Sequence, residues 1–280
     1  MKKAFLALIF IFIIFLIGCS NRNLAINENS TDNKPQNEQR IDIAYNTQAS
    51  DFDAEYTINN GVLYGRGSNT LRLFGDDSEK LYDNWVKLAD NVVHIDACNG
   101  AVIYLTEDGK VYGMGCEEGG ALQTNGNEYD IITEPKLLFD DCKYVSLGTR
   151  FALAIKNNNT LWFWGESKNG QSTTITDAIY EPVKIADNVQ FAKAFGYTSA
   201  WIDNTDALYL CGDNSFNQIG NGNNGSGFPT LYEDIVEAPF CALKDCISFE
   251  VTDDMVILAK TKDGVEYTWG NHCSNVPTKK

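Results

Sequence analysis

Few residues in this chain have the types and spacing that catalysis or metal binding requires. The two histidines, His94 and His272, lie far apart, and the sequence lacks Gly-x-Ser-x-Gly, His-Glu-x-x-His and glycine-rich phosphate-binding motifs. Residues 213–217 begin like a calcium-binding loop, but Gln218 stands where such a loop needs glycine and no suitably placed glutamate closes it. The sequence therefore predicts a non-enzymatic protein with no metal and no other cofactor.

Acidic residues dominate the charge of the chain. The sequence has 38 Asp and Glu against 22 Lys and Arg, a formal net charge of −16. With so many carboxylates, neighbouring pairs arise by chance and do not identify an acid–base site. The negative excess argues against nucleic-acid binding, because affinity for phosphate needs Lys and Arg. A basic protein partner is compatible with this charge, as is a solvated acidic surface without a partner.

Cys19 has the most specific predicted chemistry. Lys2 and Lys3 precede an uncharged apolar run at residues 4–17, and the run ends in Leu-Ile-Gly-Cys at residues 16–19. A short basic region, an apolar core and small residues are typical of an export signal. The last four residues resemble the lipobox of bacterial lipoproteins, in which the cysteine is acylated and becomes the new N-terminus. The alternative is an uncleaved membrane anchor, which so short an apolar run disfavours.

These features predict three parts in the chain. Residues 1–18 are a lipoprotein signal peptide, and residues 19–40 are a lipidated flexible tether, because they are too polar to bury enough apolar surface to fold. Residues 41–280 are globular. The resemblance implies a location on the extracytoplasmic side of the cell membrane, which the protein contacts only through its lipid anchor.

A pattern of strand-like residues, an aromatic residue and a glycine recurs along the globular part. Recurrence about every 50 residues is typical of a chain built from copies of one supersecondary unit, which buries its apolar faces only against neighbouring copies. The closing glycines are Gly67, Gly115, Gly165, Gly212 and Gly270.

Each copy carries further strand signals. A short apolar run, such as residues 101–105 or 151–155, precedes a tight turn of Asp-Gly or Asn residues. Short runs of this composition are typical of strands covered on both faces, and such turns are a strong hairpin signal. No long amphipathic helical pattern is present. The unit is therefore predicted to be a small antiparallel sheet, and a ring of such sheets is a β-propeller.

The copies resemble the RCC1 (regulator of chromosome condensation) repeat. The best copies are residues 159–171 and 208–222, and the second keeps the Gly-x-Asn and Gln-Leu/Ile-Gly-x-Gly pattern. The resemblance covers about residues 41–280. It implies an all-β RCC1-like β-propeller and a function in protein recognition. Members of this family commonly have more repeats, and the familiar ring has seven blades.

We expect five blades in this chain. Residues 265–280 match only the beginning of a unit, and residues 41–61 match only the end of one. Four complete repeats plus one blade shared by the N- and C-terminal ends would close a ring and remove exposed sheet edges. The alternatives are an open arc and a ring completed by a second chain.

Aromatic and cysteine residues occupy equivalent repeat positions. Aromatic residues in a propeller are commonly wedges between blades, so we favour core packing over sugar binding for them. No Cys-x-x-Cys pair is present, and disulfide pairing stays open. Cys98 aligns with glycines, and Cys142 and Cys246 align with asparagines, so we expect small buried free thiols. The aromatic positions are Tyr64, Tyr112, Trp162, Tyr209 and Tyr267, with Trp164 and Trp269 two residues further on.

Two function classes remain: a protein-binding scaffold, and a glycan or cell-wall binding module in which exposed aromatic rings stack on sugars. The last repeat is the longest, and its extra residues fall between Asp213 and Cys246. Loops on rigid scaffolds commonly carry function, and aromatic residues are common anchors. We predict that Phe216, Phe228 and Tyr232 bind an unidentified protein partner. The alternative is an insertion whose aromatic residues only pack against the blade.

Overall fold

The computed structural model describes residues 43–51, 53–76, 78–116, 119–124, 131–229 and 231–280. The predicted signal peptide and tether, with Cys19, lie outside these residues. Within the described part of the chain, no helix is long and apolar enough to cross a membrane.

The described chain forms five antiparallel sheets, or blades, each built from four strands that are consecutive in sequence. Blade 1 contains β1 (Gln48–Asp51), β2 (Ala54–Asn59), β3 (Val62–Ser68) and β4 (Leu81–Ala89). Blade 2 contains β5 (Val92–Cys98), β6 (Ala101–Thr106), β7 (Val111–Cys116) and β8 (Ile131–Phe139). Blade 3 contains β9 (Cys142–Leu147), β10 (Phe151–Lys156), β11 (Leu161–Ser167) and β12 (Thr176–Ala186). Blade 4 contains β13 (Val189–Phe195), β14 (Thr198–Asp203), β15 (Leu208–Asp213) and β16 (Ile235–Leu243), and blade 5 contains β17 (Cys246–Val251), β18 (Val256–Thr261), β19 (Glu266–Gly270) and β20 (Thr278–Lys279).

The prediction of five blades is confirmed, but the prediction of a blade shared by the two chain ends is wrong. Blade 1 is complete within residues 48–89, and blade 5 is complete within residues 246–279. The fourth strand of blade 5 escaped notice because it is very short: only Thr278 and Lys279 pair with β19. The described residues of 41–61 form the first two strands of blade 1, not the end of an incomplete unit.

The closing glycine of each repeat has a conformational role. Gly165 has φ +110°, and a Cβ on it would lie 2.5 Å from the carbonyl oxygen of Arg150 in the same hairpin. Only glycine combines this backbone angle with so close an approach. The closing glycines of the other blades have φ between +106° and +118°, so one local requirement explains the most regular signal in the sequence.

The apolar core lies between the blades. Trp164, Ala152 and Ala154 on one face of blade 3 join the core cluster shared with blade 2, and Leu153 and Phe163 on the other face join the cluster shared with blade 4. Trp164 and Trp269 are fully buried, which confirms them as wedges. The five aromatic residues at the other shared position are only half-buried: Tyr64, Tyr112, Trp162, Tyr209 and Tyr267.

Backbone hydrogen bonds join the blades at one end of the sheets, which we call the turn face because it carries the turns between second and third strands. At each junction, the carbonyl of a turn residue accepts a hydrogen bond from the first N–H of the next blade. We call this series the belt. Each bond of the belt joins a donor N–H to an acceptor carbonyl: Val92 to Gly61 (2.8 Å), Cys142 to Gly109 (2.9 Å), Val189 to Asn159 (2.8 Å) and Cys246 to Asp206 (2.8 Å).

The belt corrects the cysteine alignment. Asp141 and Asp245 have φ of 56° and 55° and occupy the left-handed position that asparagine takes at the other junctions. Cys142 and Cys246 therefore replace valine at the start of a buried strand. Both are buried free thiols, as expected, and burial raises the pKa of each thiol to about 12. Cys98 is the last residue of β5. It is disulfide-bonded, so the expectation of a free thiol is wrong for Cys98.

Candidate functional site

The longest described connection between a third and a fourth strand belongs to blade 4. It runs from residue 214 to the 3-10 turn Tyr232–Asp234, whereas blade 3 uses only residues 168–175. These connections lie at the end of the sheets opposite the turn face, which we call the loop face. The blade 4 connection is the extra length that the sequence places between Asp213 and Cys246.

The base of this loop is buried and hydrogen-bonded. The Asp213 side chain is 2% exposed; its Oδ1 accepts hydrogen bonds from the backbone N–H and hydroxyl of Ser215, and its Oδ2 accepts one from Gln218 Nε2 at 3.1 Å. The segment that begins like a calcium loop therefore uses its carboxylate to hold the loop. No group of metal-ligating side chains occurs in the described part of the chain.

Further side-chain contacts give the loop a defined path. Asn214 Oδ1 accepts a hydrogen bond from Ile219 N–H at 2.9 Å, and Asn217 Oδ1 accepts one from Gly225 N–H at 2.7 Å. A Cβ on Gly225 would clash with the backbone of Asn214 and Ser215. The backbone and side chains of residues 214–225 are thus too closely packed for this part of the loop to be a freely moving insertion.

The loop is also attached to blade 5. The indole N–H of Trp269, which is fully buried, donates to the Gln218 carbonyl at 2.9 Å. Gly222 N–H donates to the Asn275 carbonyl at 3.0 Å, and Asn275 Nδ2 donates to Asn224 Oδ1 at 2.8 Å. The loop therefore bridges blades 4 and 5 on the loop face.

The tip of the loop exposes large apolar side chains. Phe228 is 70% exposed and Tyr232 is 80% exposed. Phe216 differs from them because it is half-buried in the base, where its N–H donates to Gln218 Oε1 at 2.8 Å. Leu231, 39% exposed, was missed from the sequence because an aliphatic residue in a loop has no distinguishing pattern.

A separate open cavity of about 580 Å³ lies on the turn face and includes Tyr104, Tyr112, Glu107 and Asp108 in its lining. The two tyrosine rings stack with their centroids 5.5 Å apart. Tyr104 is only 3% exposed, and burial raises the pKa of its hydroxyl to about 12. Of these two rings, only that of Tyr112, which is half-buried, offers surface for stacking on a sugar.

His94 is a structural residue. It is fully buried; its Nδ1 accepts a hydrogen bond from Asn46 N–H at 2.8 Å, and its Nε2 lies 2.9 Å from the Val145 carbonyl oxygen, to which it donates. Burial lowers the pKa of the imidazole to about 4. The ring is therefore neutral at pH 7 with both nitrogens engaged, and it has no free nitrogen to act as a base.

The N-terminal end of the described chain enters at the turn face. Tyr45 donates its hydroxyl to the Lys143 carbonyl at 3.1 Å, and the Asn46 carbonyl accepts from Ile95 N–H at 3.1 Å. Ile43 packs against the core of blades 3 to 5. The entry segment thus lies across the first strands of several blades, at the end of the molecule opposite the loop face.

No protein-family model and no curated protein matches this sequence. Among solved structures, yeast RCC1 (Prp20) bound to Kap60 gives a TM-score of 0.65 at 19% identity, covering 81% of this chain and 59% of that one. Prp20p from Saccharomyces cerevisiae gives 0.68 at 19% identity, with 84% and 63% covered, and human WBSCR16 gives 0.66 at 17% identity, with 81% and 64% covered. The chain thus spans less than two thirds of each of these structures, and its fold is an RCC1-like β-propeller of five blades.

Proposed function

We propose that this chain is a non-enzymatic, surface-anchored lipoprotein whose propeller binds a protein partner through the loop face of blade 4. The observation that carries the proposal is the contrast within one loop. Its base is buried and hydrogen-bonded, whereas Phe228 and Tyr232 at its tip are 70% and 80% exposed. An anchored loop base reduces the backbone entropy lost on binding, and aromatic residues are common hot spots of protein interfaces.

The structural neighbours support protein recognition as the general mode. Yeast RCC1 was solved bound to Kap60, and Prp20p was described with its binding properties to Gsp1p and histones. Those partners belong to those proteins. What supports this proposal is the shared scaffold, which presents loops from every blade on one rigid face.

The direction in which the chain enters also supports the proposal. The described chain begins on the turn face, where Tyr45 and Asn46 contact blades 2 and 3. A lipid tether that precedes this segment would join the propeller at the turn face and leave the opposite loop face, with Phe228 and Tyr232, clear of the attachment point. A partner would then meet the exposed aromatic residues without obstruction by the bilayer.

Alanine at both Phe228 and Tyr232 is expected to change the free energy of unfolding by less than about 0.5 kcal/mol, because exposed side chains contribute little to folding. The same double variant should lose at least tenfold in capture of the envelope protein that the wild type retains. The measurements are a denaturant titration and a pull-down from envelope extract.

Trp85→Ala is the matched control, because Trp85 is also exposed, at 42%, but lies on blade 1. It should leave capture unchanged. Equal capture by the double variant and the wild type would disprove the assigned site. Retention on purified peptidoglycan, lost in Tyr112→Ala, would favour the glycan-binding alternative.

Cys19→Ser is expected to abolish acylation and to release the protein from the membrane fraction. The reason is that acyl chains anchor by burying methylenes, at about 0.8 kcal/mol each. Fractionation and mass spectrometry of the N-terminal peptide measure the result. If the variant stays in the membrane with its first residues intact, the anchor is a transmembrane segment and the lipoprotein assignment fails.

A further inference from the structure

The belt stops at blade 5. Gly264 is the turn residue of blade 5 that corresponds to Gly109 of blade 2. A Cβ added to Gly109 would lie 2.9 Å from the Cys142 carbonyl oxygen, which belongs to the next blade. Gly264, by contrast, is exposed and has nothing within 4 Å of its Cβ direction. Among the described residues, no backbone N–H donates to its carbonyl. Within the described residues, no further blade therefore packs against the turn face of blade 5.

The outer face of blade 5 carries a charged cross-strand pair. Lys260 on β18 lies opposite Glu266 on β19, and both are exposed. In the other four blades, the same position holds two apolar residues that face the next blade. Those pairs are Ile58 and Leu63, Leu105 and Val111, Ile155 and Leu161, and Ile202 and Leu208.

The outer face of blade 1 carries a second charged pair. Glu55 on β2 lies opposite Arg66 on β3, and their side chains form an ion pair at 2.6 Å. The Arg66 guanidinium also lies over the Trp85 ring, 4.6 Å from its centroid. In blades 2 to 5 the same position faces the preceding blade and holds Val102 and Met114, Ala152 and Trp164, Ser199 and Cys211, and Ile257 and Trp269.

We propose that the propeller is an open arc whose two end blades are capped by these charged pairs, so that the ends close neither on each other nor on a second copy of the chain. Stacking the two outer faces would bury both pairs. Desolvating charged side chains costs free energy that the attraction between opposite charges often does not recover. End repeats of stacked arrays need polar groups on their outer faces to stay soluble. The charged pairs supply such groups on both outer faces, and on blade 5 they lie beside the half-buried Val256 and Leu258. The proposal does not depend on the partner-binding site.

Two cysteine pairs test the proposal in the full-length chain, solubilised in detergent and treated with a short bis-maleimide. Asp206→Cys with Lys262→Cys is the control, because these side chains form an ion pair across the junction of blades 4 and 5. Asn59→Cys with Gly264→Cys places thiols at the equivalent positions of blades 1 and 5. Both pairs carry Cys273→Ser, which removes an exposed native thiol.

We expect the control pair to cross-link within one chain and the pair at 59 and 264 to cross-link no more than the single-cysteine variants. The protein should have the mass of a monomer. A link between 59 and 264 within one chain would show a closed ring. The same link between two chains would show a ring completed by a second copy. Either link would overturn the proposal.

A variant with apolar outer faces tests whether the charges themselves keep the ends apart. Glu55→Ala with Arg66→Trp, combined with Lys260→Ile and Glu266→Leu, introduces the pairs found in blade 3. We expect at least a twofold rise in mean mass with concentration, or a new link between cysteines at 59 and 264. A folded variant that stays monomeric and unlinked would show that the charged pairs are not caps.

Discussion

Replacing Trp164 by alanine is expected to lower the free energy of unfolding by about 3–5 kcal/mol, the usual cost of deleting a buried aromatic side chain. Trp164 is fully buried between blades 2 and 3. Its indole N–H donates to the Ala121 carbonyl at 2.8 Å. The substitution therefore leaves a cavity and also removes the donor to a buried carbonyl.

Two variants separate these contributions in guanidinium titrations. Trp164→Phe keeps much of the apolar volume but not the hydrogen bond, and should cost less than alanine, about 1–3 kcal/mol. Trp85→Ala, at an exposed position of blade 1, should cost little. If Trp164→Ala destabilised the protein no more than Trp85→Ala, the interpretation of Trp164 as a wedge between blades would be wrong.

Acidification is expected to destabilise the protein through His94. In an unfolded chain the imidazole has a pKa of about 6.5, whereas burial lowers the pKa of His94 in the folded state to about 4. Between these values the unfolded state binds a proton that the folded state does not, so stability falls as pH drops from about 6.5 to about 4. The full effect is about 3 kcal/mol, and it levels off at lower pH because the folded state then also binds the proton.

The comparison of wild type with His94→Gln isolates this contribution. Carboxylates titrate in the same range, but they do so in both proteins and cancel in the difference. Glutamine can accept from Asn46 N–H or donate to the Val145 carbonyl without acquiring a charge. Two charged groups act on the imidazole: Asp96 favours its protonated form, and Lys193 disfavours that form. A difference in stability that stays constant from pH 7 to pH 4 would contradict the prediction.

The repeat and its hairpins were predictable because their causes are local. Gly165 is required by contacts within its own hairpin, and the turns at 157–159 and 262–264 connect adjacent strands. Strand β20 was missed because two paired residues leave no periodic pattern. The alignment of Cys142 was wrong by one position because Asp and Asn are equally suited to the left-handed residue that precedes each blade.

The candidate site was predictable only in part. Loop length and aromatic content selected Phe228 and Tyr232, which are exposed, but they also selected Phe216, which is half-buried in the base of the loop. Exposure depends on which side chains of the loop pack inward, and here Asp213 and Gln218 decide that through hydrogen bonds within the loop. Amino-acid composition alone therefore cannot distinguish the exposed aromatic residues of the loop from the half-buried one.

The sequence by itself determined the repeating antiparallel unit of a β-propeller and its hairpins, because repeat length, closing glycines and turn residues are properties of short segments. Tertiary structure decided how the blades are joined and which faces stay free. Lys260 and Glu266 are unremarkable in the sequence, and only the strand register shows that they stand opposite each other where the other blades have apolar pairs. Contacts between blades join residues about 50 positions apart, and a single sequence does not show which of these contacts form.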